Sequence, residues 1–312
     1  MEQLPPDVIA ALTAMSPDIT PELVQESWAL LIPFHEKAGY SAPRIDRDLR
    51  YGDDPRHRLD VHTAGRGPAG EPAPVVLFVH GGGFTGGDKH VAGSPMYDHI
   101  GAWAVRNGWV GVTMTYRLAP EHRWPAGAQD VAAAVRWIRG GIAEYGGDPD
   151  RIVVAGHSAG CVHVASYLTG QGGGSLDGVR GAGLLSGFYQ VEEDERTTPE
   201  HAYYGDTPPA AVSTLDGLLD VEIPLVFAVA ERDPRFSQLQ VARLAAAWFA
   251  RKGTVPQVIW SEGHNHISQI GSVGVDDLAL GAPLARFVAR VTGTQATGTQ
   301  ATSTQATSTE PA

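Results

Sequence analysis

The chain of 312 residues predicts an α/β fold: a doubly wound, mostly parallel sheet with helices on both faces. Three observations predict it. Continuous apolar runs such as "PVVLFVH" (74–80) and "RIVVAGH" (151–157) recur along the chain, as suits parallel strands covered on both sides. Segments of helical periodicity lie between those runs. The length, with 43% hydrophobic and 19% charged residues, is enough for a large buried core.

Taken in order, residues 1–45 read as an amphipathic helical cap. "SPDITPELVQESWALLIPFHEKAG" opens on turn and cap residues and carries Leu23, Trp28, Leu31 and Phe34 at near-helical spacing. Strands are then expected at 58–63, 74–80, 109–116, 151–157, 179–186, 223–230 and 256–263. One helical stripe is formed by Val131, Val135, Ile138 and Ile142. A second runs through Leu239, Ala242, Leu244, Ala247 and Phe249, and a last helix is expected over 275–291. The polar stretch 189–220 interrupts the alternation and reads as loop or short helices at the C-terminal edge of the sheet. These bounds give a cap (1–45), a catalytic domain (46–292) and a threonine-rich tail (293–312). The tail's five-residue near-repeat lacks the apolar bulk to offset its ordering entropy.

Charge narrows the function. With 23 Lys and Arg against 35 Asp and Glu, the net charge is −12, which disfavours nucleic acid and anionic membrane surfaces. The single cysteine, Cys161, permits no internal disulfide. No run approaches a membrane span and the N-terminus has no leader pattern, so a soluble cytoplasmic protein is expected. The sequence leaves the oligomeric state open, a homodimer included.

The chemistry concentrates in "VAGHSAG" (154–160). Ser158 sits in Gly-x-Ser-x-Gly between an apolar strand and a helix. Glycines at 156 and 160 allow a sharp turn, and the new helix points its N-terminal amides toward the serine. Those are the needs of an acyl-transfer nucleophile. "FVHGGGFTGGDK" (78–89) follows another strand; its glycines leave N–H groups available to a developing oxyanion. A phosphate cradle is the competing reading, but no Gly-Lys-Ser/Thr follows. A serine needs a base and the base an orienting acid, in the chain order Ser, Asp/Glu, His for this kind of sheet. "AERDP" offers Glu231 and Asp233; "GHNHIS" offers His264 and His266. His-x-His alone does not make a metal site without further ligands at matching spacing.

Together with "YRLAPEHRWPAGAQD" (116–130) and "YGGDPDRI" (145–152), these segments resemble the α/β-hydrolase carboxylesterases of the hormone-sensitive-lipase-like group. The resemblance covers most of residues 70–270. It implies the α/β-hydrolase fold and a catalytic set of Ser158, Asp233 and His266. It also implies an oxyanion hole from the amides of Gly82, Gly83 and Ala159. His157 precedes the nucleophile where many members carry an acid, a departure shared with esterase, arylformamidase and feruloyl-esterase-like branches. The expected function is a cofactor-free, metal-free serine carboxylesterase acting on small-molecule short- to medium-chain or aryl esters. Phe84, Trp28 and Tyr189 are expected to line its substrate pocket. An arylformamidase or other amide hydrolase with the same triad is the nearest alternative. A non-catalytic small-molecule-binding protein of the same fold is the other. His157, His163 and Cys161 read as structural, and Asp88, Arg117, Glu121 and Asp130 as a polar scaffold under the loops.

Overall fold

A computed structural model describes residues 4–65, 71–192, 196–275 and 277–295. Eight strands form one sheet: β1 (Arg44–Arg50), β2 (Arg58–Thr63), β3 (Ala73–Val79), β4 (Val110–Met114), β5 (Gly147–His157), β6 (Val179–Leu185), β7 (Leu225–Arg232) and β8 (Val258–Asn265). Their spatial order is β1-β2-β4-β3-β5-β6-β7-β8. The β1–β2 and β2–β4 pairs are antiparallel, and the pairs from β4 through β8 are parallel. Eleven α-helices accompany the sheet among the described residues. They are α1 (Pro6–Ala14), α2 (Pro21–Ala38), α3 (Asp98–Arg106), α4 (Ala126–Gly141), α5 (Ala159–Leu168), α6 (Thr198–Tyr204), α7 (Pro209–Val212), α8 (Leu215–Asp220), α9 (Arg235–Lys252), α10 (His266–Gly271) and α11 (Ala282–Thr292).

The apolar runs do what their composition requires. Side chains alternate across a strand, so Val75, Leu77 and Val79 join one core with α4 and α5, while Val76 and Phe78 join a second with α3 and α11. The stripe Val131, Val135, Ile138 and Ile142 is fully buried on the first of these. In α9 the buried residues are Ser237, Gln240, Val241 and Leu244; Phe249 of the expected stripe is exposed. The polar segment 189–220 contains the short helices α6, α7 and α8.

One strand was not expected. β1 reads "RIDRDLR" and lies at the sheet edge with no fully buried residue. Charged side chains suit an edge and hide the alternation that marks a strand. Its Arg47 bridges two buried carboxylates, Asp60 at 2.8 Å and Asp98 at 2.6 Å.

At the N-terminus, Thr20 caps α2 by accepting from the Leu23 N–H, and Pro21 takes the first helical position, where no amide is needed. The buried face of α2 is Leu23, Ser27, Trp28, Leu31 and His35, with Phe34 half-buried beside it. His35 Nε2 donates to the Gly271 carbonyl at 2.6 Å, and the Ser27 hydroxyl donates to Asn265 Oδ1 at 3.3 Å. The N-terminal helices are thereby tied to the β8–α10 junction. The repeats of the C-terminal tail fall outside the described residues from 296 onward.

Candidate active site

Parallel strands deliver their carboxyl ends to one rim, where an α/β sheet places its ligands. Val79 of β3 pairs with Gly156 of β5, so the loops after these strands leave the sheet side by side. The first is the glycine loop and the second is the serine turn.

Ser158 has φ +55 and ψ −124, a conformation a non-glycine residue adopts only when its surroundings impose it. Two close approaches do so. A Cβ at Gly156 would overlap the Gly160 carbonyl, and a Cβ at Gly160 would overlap the carbonyls of Val79 and His80. The turn is therefore pressed against β3, and the half-buried serine is lifted into a cavity. Its amide donates to the Leu185 carbonyl at 2.9 Å. Ala159 begins α5, so its N–H points out of the helix start.

The glycine loop is braced from below. Tyr116 Oη donates to the His80 carbonyl at 3.0 Å, and the two rings stack 4.4 Å apart. The Gly86 amide donates to the Gly82 carbonyl at 3.0 Å. Gly82 and Gly83 hold φ values of +133 and +57. Among the described residues, the amides of Gly82, Gly83 and Ala159 donate to no protein acceptor, and all three residues line the cavity. Farther along the loop, Lys89 Nζ is buried between Asp48 (2.8 Å) and Asp60 (2.9 Å). Asp60, His62 and Asp98 form a buried cluster with metal-like spacing. Arg47 and Lys89 already place two cations against its carboxylates.

Of the two candidate acids, Asp233 meets a histidine. Its Oδ1 lies 2.6 Å from His266 Nδ1, with both side chains buried. Its Oδ2 accepts from the Ser186 hydroxyl at 2.6 Å and from the Ala230 amide at 2.7 Å. Burial by itself would raise this carboxyl, but His266 and the hydrogen bonds outweigh it and hold it below the ordinary value. Glu231 instead accepts from the Gly263 amide at 2.7 Å and fixes the turn before the histidines. His264 turns away into the fold, its Nδ1 3.1 Å from the Ser268 hydroxyl. His266 Nε2 has no protein partner among the described residues, and the residue lines the same cavity as Ser158. Ser186 was not legible as a site residue: in sequence it is one serine after an apolar strand.

The cavity encloses about 720 Å³. Trp28 and Phe84 line it, joined by Ile19 and Val24 from the N-terminal segment and by Phe188 and Phe236. Tyr189, expected in the lining, does not line it. Phe188 faces the cavity, and the next side chain of an extended segment points the other way. The Tyr189 ring is buried in the main core, edge-on to Phe227. Tyr203 stacks on Phe84 at 4.5 Å and backs the cavity wall. His163 is buried beside Tyr203, Cys161 is buried, and Asp130 is buried in an ion pair with Arg117 at 2.7 Å. Asp88 departs from the scaffold reading: it is half-exposed and lines the cavity.

A family model of the alpha/beta hydrolase fold matches residues 76–260. The esterase LipC of Mycobacterium tuberculosis is 36% identical over 169 residues, 51% of this chain and 40% of LipC. The carboxylesterase NlhH of the same organism is 49% identical over 88 residues, 28% of this chain and 26% of NlhH. The matched stretches thus span well under half the length of these relatives. A hyperthermophilic esterase from the archaeon Pyrobaculum calidifontis shares the fold with a TM-score of 0.62 at 22% identity, covering 94% of this chain and 99% of that one. Among the described residues, no helix is long and apolar enough to cross a membrane.

Proposed function

The chain belongs to the α/β-hydrolase-fold family, and from that premise we propose that it is a serine carboxylesterase working through an acyl-enzyme. One observation carries the reading: a serine held on a strained turn and a histidine backed by a buried carboxylate open onto the same cavity. Named esterases among its relatives support it.

In this mechanism Ser158 Oγ attacks the ester carbonyl while His266 Nε2 takes its proton. Asp233 accepts the Nδ1–H bond, which keeps the Nε2 lone pair toward the substrate and stabilises the imidazolium as it forms. The amides of Gly82, Gly83 and Ala159 receive the oxyanion. Such preorganised donors cost no reorganisation when charge develops. His266 then returns the proton to the leaving alcohol. Water, activated by the same imidazole, attacks the acyl-serine and releases the acid. No step calls on a metal or cofactor. The cavity's largely apolar walls suit short- to medium-chain acyl groups or aryl esters, and its volume is that of a small-molecule site.

The test is a panel of 4-nitrophenyl esters of graded chain length with Ser158→Ala as blank. The variant is expected to lose about 10⁴-fold or more in kcat and to escape labelling by a fluorophosphonate that labels the wild type. Full activity in the variant would end the proposal.

A further inference from the structure

The cavity contains a buried polar atom for which the mechanism above has no use. His157 lines the cavity beside Ser158 and is only 2% exposed. Its Nε2 lies 2.9 Å from the carbonyl oxygen of His266. A carbonyl only accepts, so Nε2 carries the hydrogen, and this bond sets both the ring's orientation and its tautomer. Nδ1 is then a lone-pair acceptor. Burial, reinforced by the His266 ring 4.7 Å away, pushes the imidazole down to about 3, so the ring stays neutral.

No N–H or O–H of the described residues reaches this Nδ1. Its position is informative. A Cβ built on Gly81 would come within 3.2 Å of both His157 Nδ1 and Ser158 Cβ. The acceptor, the nucleophile and the glycine loop therefore converge at the reacting end of the cavity. Bracing the His266 carbonyl accounts for Nε2 and leaves Nδ1 unexplained. Buried acceptors are seldom left without a donor, because their lost hydration is otherwise uncompensated. Because His157 lines the cavity, a bound ligand is placed to supply that donor.

We propose that His157 Nδ1 is a substrate-binding acceptor for an N–H or O–H adjacent to the scissile carbonyl. The substrate class is then acyl compounds bearing such a donor, either secondary amides or α-hydroxy esters. The proposal rests on the Ser158–His266 reading and narrows it: an isostere without the donor leaves Nδ1 desolvated and unpaired, and is disfavoured.

The test uses two matched pairs, one for each source of the donor. One pair is 4-nitrophenyl glycolate and 4-nitrophenyl methoxyacetate; the other is 4-nitroformanilide and its N-methyl derivative. For each pair the kcat/KM ratio, donor over methylated, is measured in wild type and in His157→Phe. Dividing the wild-type ratio by the variant ratio cancels general damage to His266 and the substrates' own reactivity. A quotient of about tenfold or more is expected in at least one pair; the pair that shows it names the donor as α-hydroxyl or amide N–H. A quotient near one in both pairs overturns the proposal. Should the variant fail to fold, the wild-type ratio divided by that for hydroxide-catalysed hydrolysis decides by the same thresholds. Fluorophosphonate labelling of Ser158 separates the two readings. Labelling with quotients near one overturns only the role of His157, whereas no labelling and no turnover of any of the compounds overturns the acyl-transfer reading beneath it.

Discussion

Asp233 and Glu231 are two residues apart, yet only one reaches His266. The Asp233 amide turns back onto the Ala230 carbonyl at 3.1 Å, which takes its carboxylate off the strand and into the site. Glu231 stays on β7 and holds the Gly263 amide. The two therefore have separable effects. Asp233→Asn is expected to cut kcat about 10³- to 10⁴-fold, because the amide supports the wrong tautomer of His266. Glu231→Gln keeps an acceptor for Gly263 and is expected to lose less than about tenfold, a margin set by one neutral hydrogen bond. Steady-state kinetics on both variants, with circular dichroism to confirm folding, checks this; equal losses would mean the acid is misassigned. The chain order of Ser158, Asp233 and His266, the residues that carry the proposed triad, was legible in the sequence. The choice between His264 and His266 rested on a resemblance, since both stand in one loop and differ only in where the chain turns them. Tyr189 was misread because aromatic character does not say which side of an extended segment a ring takes.

At the scale of elements, the edge strand β1 supports the glycine loop. Arg47 of β1 and Lys89 of the loop converge on Asp60, which is fully buried on β2, and Arg47 also grips Asp98 at the start of α3. Ion pairs of this kind contribute little net stability compared with an apolar replacement, but removing one partner strands a buried charge. Arg47→Met is thus expected to destabilise the chain by about 3 kcal/mol, measurable by urea unfolding. A loss no larger than that of an ordinary surface substitution would show that the remaining neighbours of Asp60 and Asp98, Lys89 and His90, satisfy these carboxylates without it. Nothing in "RIDRDLR" announces this role, because Arg47 finds its partners on segments 13 and 51 residues away. The turn at Ser158 was legible for the opposite reason: Gly156 and Gly160 are local requirements of a tight crossing and show in a seven-residue window.

Across the whole molecule, six histidines are buried with pKa values pushed below the usual 6.5 by desolvation. His35, His62 and His80 fall to about 4, and His99, His157 and His163 to about 3. When folded values lie below unfolded ones, acid protonates the unfolded chain first. This stability is therefore present above pH 6.5 and is lost as pH falls from there through about 4 for three of them and about 3 for the others. Each group that is protonated only when unfolded contributes a slope of about 1.4 kcal/mol per pH unit. The melting temperature is expected to drop steeply between pH 6.5 and 4.5, and calorimetry across that range checks it. A flat profile would mean that these rings carry protons in the folded state.

The sequence by itself determined the class of fold, the strand–turn–helix around Ser158, the glycine loop and the short set of groups from which a triad could be drawn. All of these are encoded in local patterns: apolar periodicity, glycine where a Cβ cannot fit, and motif order along the chain. Tertiary structure alone decided which carboxylate pairs with which imidazole, which aromatic rings face the cavity, and how α2 helps wall it. It also decided that one ring nitrogen of His157, a residue lining the cavity, has no donor among the described residues. Those outcomes depend on side-chain directions and on contacts between segments as much as 238 residues apart, and no window of sequence contains them.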